Sequence, residues 1–331
     1  MLLGFLVVAT LSIAQPPANY YNAANGLTGD QLKVALHNII KGHTSISYAQ
    51  IWNAFWSTDN KGNGVVWDMY SDRPGGTPPY TYQLGMDQCG NYSGEGDCYN
   101  REHSWPQSWF NEQSTPRTDM HHIFATDGYV NGRRSNYPFG EVQSASWTSQ
   151  NGSKLGSSKT PGYSGTVFEP IDEYKGDFAR ALMYMSVRYY SEDSGWGSSD
   201  MTTKSVIKPW AIDLLLRWND QDPVSQKEIA RNNAIYNDYQ HNRNPFVDHP
   251  EYARMIWDSH WSIDSPYQEQ NETKADRVMV YDLLGRLLIQ IDINEGEDEN
   301  MILGEKLNHG CYLLQFLSGN QVILNKKLLV N

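Results

Sequence analysis

The sequence predicts an α+β protein: a large, mainly helical domain followed by a small all-β sandwich. Three observations carry this. Up to Trp257, several stretches repeat apolar residues at helical spacing. Between the first two of these and the rest, residues 59–100 are rich in Gly, Pro, Asp and Tyr, as in turns and short strands. After Asp264 the helical pattern stops, and short β-runs separated by turn residues replace it.

In chain order, the apolar run Leu2–Ile13 is too short to span a bilayer. It has the length of a signal-peptide core, with Ser12 and Ala14 as small residues near a cleavage point. Residues 28–58 read as two helices. The first has Thr28 or Asp30 as cap and Leu32, Leu36, Ile39 and Ile40 on one face; the second includes Tyr48, Ile51, Trp52 and Phe55. "VVWDMYSD" reads as a strand and "RPGGTPPY" as a loop. Residues 143–166 are rich in Ser, Gly and Thr and read as a loop or irregular strands. Gly176–Tyr190 reads as an amphipathic helix, and two more helices follow. The second of them opens with Ser225 and Glu228, the spacing of a capping box. Pro245 and Pro250 end that region, and Pro250 opens a last short helix through Trp257. The expected division is residues 1–14 as signal peptide, 15–264 as the main domain, 265–276 as linker and 277–331 as the β domain.

The chain has 331 residues, 39% hydrophobic and 19% charged, which excludes a disordered protein. Its formal net charge is −12. A protein that binds nucleic acid over its whole surface is usually basic, so a polyanion site here must be a local patch. No later segment has the apolar length of a membrane span. Cys89 and Cys98 flank "GNYSGEGD", and in an exported chain such a pair closes a turn-rich loop as a disulfide.

The chemistry-bearing residues fall in two segments. "CYNREHSWPQSWF" holds Glu102-His103 among tryptophans. Histidine accepts a proton near neutral pH. On a strand, neighbours point to opposite sides, so Glu102 and His103 can serve different tasks. Trp105, Trp109 and Phe110 read as core. "TDMHHIFATDGYVNGRRSNYPFGEV" gathers Asp119, His121, His122, Asn131, Arg133 and Arg134. The adjacent histidines lack the spacing of a helical zinc site. Asn131 offers a neutral oxygen, suited to a hard cation such as Mg²⁺ or Ca²⁺ and not to Zn²⁺. The arginines offer forked donors to phosphate oxygens. A hard-cation ligand beside phosphate grips is what phosphodiester cleavage needs.

Together these two segments resemble the endonuclease I family of secreted and periplasmic bacterial nucleases, in the ββα-metal (His-Me finger) superfamily. "LLRWNDQDPVSQKEIARNNAIYNDYQHNRNPFVDHPEYARMIW" looks like the rest of that domain, so the resemblance spans residues 28 to 262. It implies a mainly helical nuclease domain with an embedded ββα-metal core. It also implies His103 as general base and Glu102 and Asn131 as ligands of one divalent cation, Mg²⁺ with Ca²⁺ or Mn²⁺ as alternatives. Asp119 and His121 match a supporting Asp-x-His element. An arginine is expected to hold the scissile phosphate; Arg117, Arg133 and Arg134 are the candidates, with Arg134 preferred. The implied activity is hydrolysis of DNA, and of RNA as a second substrate, with little sequence choice and 5′-phosphate products. A metal-dependent phosphoesterase of smaller substrates and an inactive binding protein are the alternatives. The tail, with "VYDLLGRLL", "GCYLLQF" and "KKLLV", resembles the C-terminal sorting domain of the type IX (Por) secretion system. That implies a secreted or cell-surface protein, with the secretion machinery as partner. A monomer is expected.

Overall fold

The computed structural model describes residues 16–258, 277–281, 287–292, 310–318 and 321–330. The expected signal peptide and linker lie outside them. The chain divides into two compact units, Met1–Ser262 and Ile263–Asn331. The first mixes helices with small antiparallel sheets.

Helix α1 (Gly29–Ile40) begins after Thr28, whose side chain makes no capping bond, and buries Leu32, Leu36 and Ile40. α2 runs over Gln50–Thr58, so Tyr48 stands just before it. Ser47 and Gln50 exchange side-chain and backbone hydrogen bonds across its start, which fixes the Tyr48 turn. β1 (Asn60–Gly62) and β2 (Val65–Val66) form a short hairpin. The strand expected through "VVWDMYSD" stops at Val66. Asp68 accepts the Tyr70 amide, and the Asp68 carbonyl accepts from Ser71 and Asp72, which makes a turn.

β3 (Tyr99–His103) pairs antiparallel with β4 (Ile123–Asp127), in the register Tyr99↔Asp127 to His103↔Ile123. Between them lies α3 (Ser114–Arg117), and α4 (Gly128–Arg134) follows β4 with no intervening loop. All of β4 is buried. Ile123 and Ala125 join a core cluster with Ile51, Phe55 and Tyr99. Phe124, on the other face, joins the larger cluster around Phe178. The hairpin is therefore held between two apolar bodies, as the alternation of a strand requires.

β5 (Val142–Thr148), β6 (Lys154–Ser158) and β7 (Thr166–Glu169) form an antiparallel meander in which the β5–β6 register shifts twice, the second of the two expected forms, irregular strands and not a loop. Gly156 permits it, because a Cβ there would sit 2.1 Å from the Ser144 carbonyl oxygen. α5 (Lys175–Arg188) is not amphipathic: all of its residues are buried. Its polar groups are matched inside, Asp177 by Lys227 at 2.9 Å and Arg180 by Glu228 at 2.5 Å. A buried helix carries charge only when each charge is partnered. The β8–β9 hairpin (Thr202–Thr203, Val206–Ile207) leads to α6 (Pro209–Gln221), which has proline in its first turn. α7 (Gln226–Ala234) opens with the expected Ser225–Glu228 capping box. A wider helical turn, Ile235–Gln240, extends it to His241. α8 (Pro245–Asp248) is opened, not ended, by Pro245, with Asn244 as cap. α9 (Tyr252–Trp257) closes the unit. Among the described residues, no helix is long and apolar enough to cross a membrane.

In the second unit β10 (Arg277–Tyr281), β11 (Leu287–Asp292), β12 (Gly310–Ser318) and β13 (Gln321–Val330) form one antiparallel sheet in the order β11-β10-β12-β13. Val278, Val280, Ile291 and Leu314 are buried. A sandwich requires a second sheet, and the described strands belong to one.

Candidate active site at the β3–α4 junction

The end of β3 carries Arg101, Glu102 and His103, with the middle residue on the opposite side of the strand from the other two. Glu102 turns inward and is 1% exposed. Its Oε1 accepts from the Tyr70 hydroxyl at 2.9 Å and lies 3.2 Å from Arg134 Nη1. Burial raises its carboxyl pKa, against the Arg134 charge and the Tyr70 hydrogen bond. Both contacts engage Oε1, so the Oε2 oxygen lies outside them.

His103 faces the other way. Its Nε2 is 3.1 Å from the Arg117 carbonyl oxygen. A carbonyl only accepts, so in the neutral ring Nε2 carries the hydrogen and Nδ1 keeps the lone pair. Burial, with His122 and Arg101 adding to it, pushes the pKa down to about 3 against the pull of two backbone carbonyls. The ring is therefore neutral at physiological pH, as a proton acceptor must be. Tyr48 stacks on it with centroids 6.1 Å apart, and His122 meets it edge-on at 5.4 Å.

Asn131 lies on α4, and its Nδ2 donates to the Arg101 carbonyl at 3.3 Å. It thus reaches β3 one residue before Glu102. Asp127 caps α4 by accepting the Val130 amide at 2.7 Å, while its other oxygen accepts from the Tyr82 hydroxyl and the Gly96 amide. Gly96 belongs to the loop closed by the Cys89–Cys98 disulfide. The same loop lays Tyr92 against the helix: a Cβ at Gly128 would be 2.6 Å from Tyr92 Cδ1, and one at Gly132 2.7 Å from its hydroxyl. Gly128→Ala is expected to lose about 1–3 kcal/mol of unfolding free energy by overpacking, and Tyr92→Ala in the same chain to restore most of it. Equal destabilisation with and without Tyr92, in urea unfolding of the set, would refute that contact.

The three candidate arginines have separate placements. Arg134, preferred from sequence as the phosphate grip, lies inside at 1% exposure. It donates to the carbonyls of His103 (2.9 Å) and Ser104 (2.6 Å) and faces Glu102. A guanidinium so enclosed ties α4 to the end of β3 and has no open face for a phosphate. Arg133 projects over Trp147, 5.2 Å from the ring centroid, about 200° around α4 from Asn131. Arg117 is the one beside His103: its guanidinium carbon is 4.2 Å from the Tyr48 centroid, and its Nε donates to Gln107 at 2.8 Å.

Asp119 and His121 lie deeper. Asp119 accepts from Gln240, Tyr184 and Tyr189 and caps the turn that leads into β4. Burial alone would raise its pKa, but His43, His121 and His122 bring it below the usual carboxylate value. His121 Nε2 contacts the Asn242 carbonyl, and His122 Nε2 the Pro116 carbonyl. The Asp119–His122 segment is thus fastened to α5 and to residues 240–242, and the His122 carbonyl receives the Ser104 amide beside His103.

Sequence reasoning missed Tyr70, Tyr48 and Arg101. Arg101 shares the His103 face of β3, and its guanidinium carbon is 3.7 Å from the Tyr48 centroid and 4.3 Å from that of Trp52. Strand alternation was a signal for it; nothing in the sequence pointed to the two tyrosines. Among the described residues, no group of three or more His, Cys, Asp or Glu is placed to hold a metal. One carboxylate and one amide oxygen form no such group, yet they suit a hard cation that keeps waters and takes phosphate oxygens.

Residues 28–251 match the family model described as Endonuclease I, and residues 260–331 that described as a secretion system C-terminal sorting domain. An extracellular ribonuclease of Bacillus amyloliquefaciens is 41% identical over 261 residues, covering 75% of this chain and 81% of the relative. One of Bacillus subtilis (strain 168) is 39% identical over 265 residues, covering 75% and 83%. An endonuclease-1 of Buchnera aphidicola subsp. Baizongia pistaciae (strain Bp) is 30% identical over 130 residues, covering 39% and 46%.

Proposed function

Because the chain belongs to the endonuclease I family, and is a secreted or cell-surface nuclease, we propose that it hydrolyses phosphodiester bonds of RNA and DNA at the β3–α4 junction, in a ββα-metal core. The observation that carries this reading is the His103 Nε2 contact to the Arg117 carbonyl, which leaves Nδ1 as the basic atom of a neutral ring. His103 takes a proton from the attacking water at Nδ1. Arg117, whose carbonyl meets His103 and whose guanidinium lies on the Tyr48 ring, binds the phosphate. Arg134 positions the end of β3 by holding the carbonyls of His103 and Ser104 and by facing Glu102. Asp119 and His121 keep the segment entering β4 in place.

Glu102 and Asn131 would hold a divalent cation, with Mg²⁺ first among the hard ions and Ca²⁺ or Mn²⁺ as alternatives. Bound there, it would supply charge neutralisation at the phosphate and the leaving oxygen. The proposed groups would meet backbone phosphate and not base edges, which supports low sequence choice; departure of the 3′ oxygen would give 5′-phosphate products. The printed names of the two Bacillus relatives support RNA as a substrate. The sorting tail supports handling by a secretion system.

Purified protein is expected to degrade plasmid DNA and ribosomal RNA with Mg²⁺ and to stop in EDTA, with activity restored by added Mg²⁺. Degradation that continues in excess chelator would sink the metal part of this reading; no degradation under any metal would sink the reading as a whole.

A further inference from the structure

Three aromatic side chains, Tyr48 in the turn before α2 and Trp52 and Trp56 on it, run in a row away from His103. Tyr48 stacks on the His103 ring. Trp52 is one helical turn on, and the Arg101 guanidinium bridges the two rings. Trp56 is a further turn on and is 49% exposed. At 1.5 Å per residue the eight residues from Tyr48 to Trp56 span about 12 Å.

The exposed Trp56 ring thus stands in line with two rings that lead back to His103. Trp56 is also rigidly backed. Built Cβ positions at Gly64 and Gly85 fall 3.5 Å from its ring, so the β1–β2 hairpin and the Gly85 turn support it from behind. Tyr48 and Trp52 are half-buried. Trp52 is pinned edge-on by Phe55 at 6.0 Å and Tyr99 at 5.6 Å. The cations at the head of this row are bonded to neutral groups: Arg101 Nη1 donates to the Tyr48 carbonyl at 3.0 Å and Arg117 Nε to Gln107. Arg101 Nε is buried without a hydrogen-bond partner. In a chain of net charge −12, these are two positive charges with no carboxylate partner among the described residues, joined to a row of rings.

We propose that Tyr48, Trp52 and Trp56, with Arg101, form a track for single-stranded nucleic acid leading away from the scissile phosphate. Unpaired bases stack on Trp56 and on the Arg101–Trp52 step, and the two arginines meet the phosphates nearest His103. The proposal rests on the nuclease reading and adds to it the class of substrate, strands with unpaired bases. A base inside a duplex has both faces covered by its neighbours, whereas an unpaired base offers its face to aromatic rings and guanidinium planes. A track of about 12 Å reaches past the nucleotide next to the scissile phosphate. Trp56 therefore touches only strands that extend that far from the cut.

The test uses the full chain and three substrates of one sequence: a single-stranded oligonucleotide of about 12 nucleotides, its duplex, and a trinucleotide. Trp56→Ala is expected to raise KM for the single strand on the order of tenfold with kcat retained, because stacking on one ring is lost. The duplex and the trinucleotide are expected to show no change, and Trp56→Phe to restore most of the loss. An equal change on all three substrates, or none on the single strand, would overturn the track. A second arm separates the two readings. Fluorescence anisotropy of the labelled single strand is measured in EDTA on His103→Ala, with and without Trp56→Ala. A tenfold weaker affinity for the single strand, with that for the labelled duplex unchanged, in a protein whose parent cuts nothing, would retain the track and reject the nuclease. Cleavage with neither arm sensitive to Trp56 would do the reverse.

Discussion

Replacing His103 by alanine is expected to lower kcat on RNA and DNA by about 10²–10⁴-fold, the usual contribution of a positioned general base. The expectation follows from the ring's surroundings. Nε2 is committed to the Arg117 carbonyl, burial keeps the ring neutral, and Tyr48 and His122 fix its plane. The protonated ring would have to form in an enclosed site, and it would do so only as the proton leaves the attacking water. The change leaves Glu102 with Tyr70 and Arg134, so binding of Mn²⁺, read directly by titration, should stay within a few-fold of the parent. The melting temperature is expected to fall by a few degrees at most for this loss of packing. A loss of activity under tenfold in a folded, metal-binding protein would remove His103 from the base role.

The second large effect falls on stability. Arg134→Met is expected to cost about 3–5 kcal/mol, because it leaves Glu102 as a buried charge without its cation. The carbonyls of His103 and Ser104 lose their donor as well. Against a typical total of about 5–15 kcal/mol, that loss brings the domain close to unfolding at ordinary temperature. Arg134→Lys should recover little, since an ammonium cannot span two carbonyls and a carboxylate with the geometry of the fork. Adding Glu102→Leu to Arg134→Met should recover part of the stability, because the unpaired charge goes with it; urea unfolding of the four proteins measures the coupling. This outcome separates a positioning role from phosphate binding. An Arg134→Lys protein with parental stability and a raised KM would put the guanidinium back on the substrate side.

The local grammar of the fold was legible where short-range chemistry sets it. The Ser225–Glu228 capping box depends on residues three apart and forms as the spacing implies. The Cys89–Cys98 loop is similarly local. The reading of α5 failed for the opposite reason. Its charged residues looked like a solvent face, but their partners Lys227 and Glu228 come from about fifty residues away. Periodicity reports polarity, and polarity marks a surface only when no distant partner covers it. The strand expected through Asp68 ended early for a local reason, the aspartate's own turn.

For the candidate site, residue type by itself determined which atoms are available. A histidine supplies a base near neutral pH, a glutamate and an asparagine supply oxygen to a hard cation, and adjacent strand residues face apart. These are properties of single side chains and of strand geometry; that Glu102, His103 and Asn131 belong to one site was implied by the resemblance of their two segments to the endonuclease I family, still without coordinates. Only the tertiary structure separates the arginines by placement. Arg117, Arg133 and Arg134 are chemically identical, and what distinguishes them is which carbonyls, carboxylates and rings lie beside each one. Arg134 is enclosed by β3, Arg133 is turned to Trp147, and Arg117 lies with Arg101 against Tyr48. A guanidinium's task is set by its desolvation and its neighbours, and those are fixed only when segments distant in the chain are packed together.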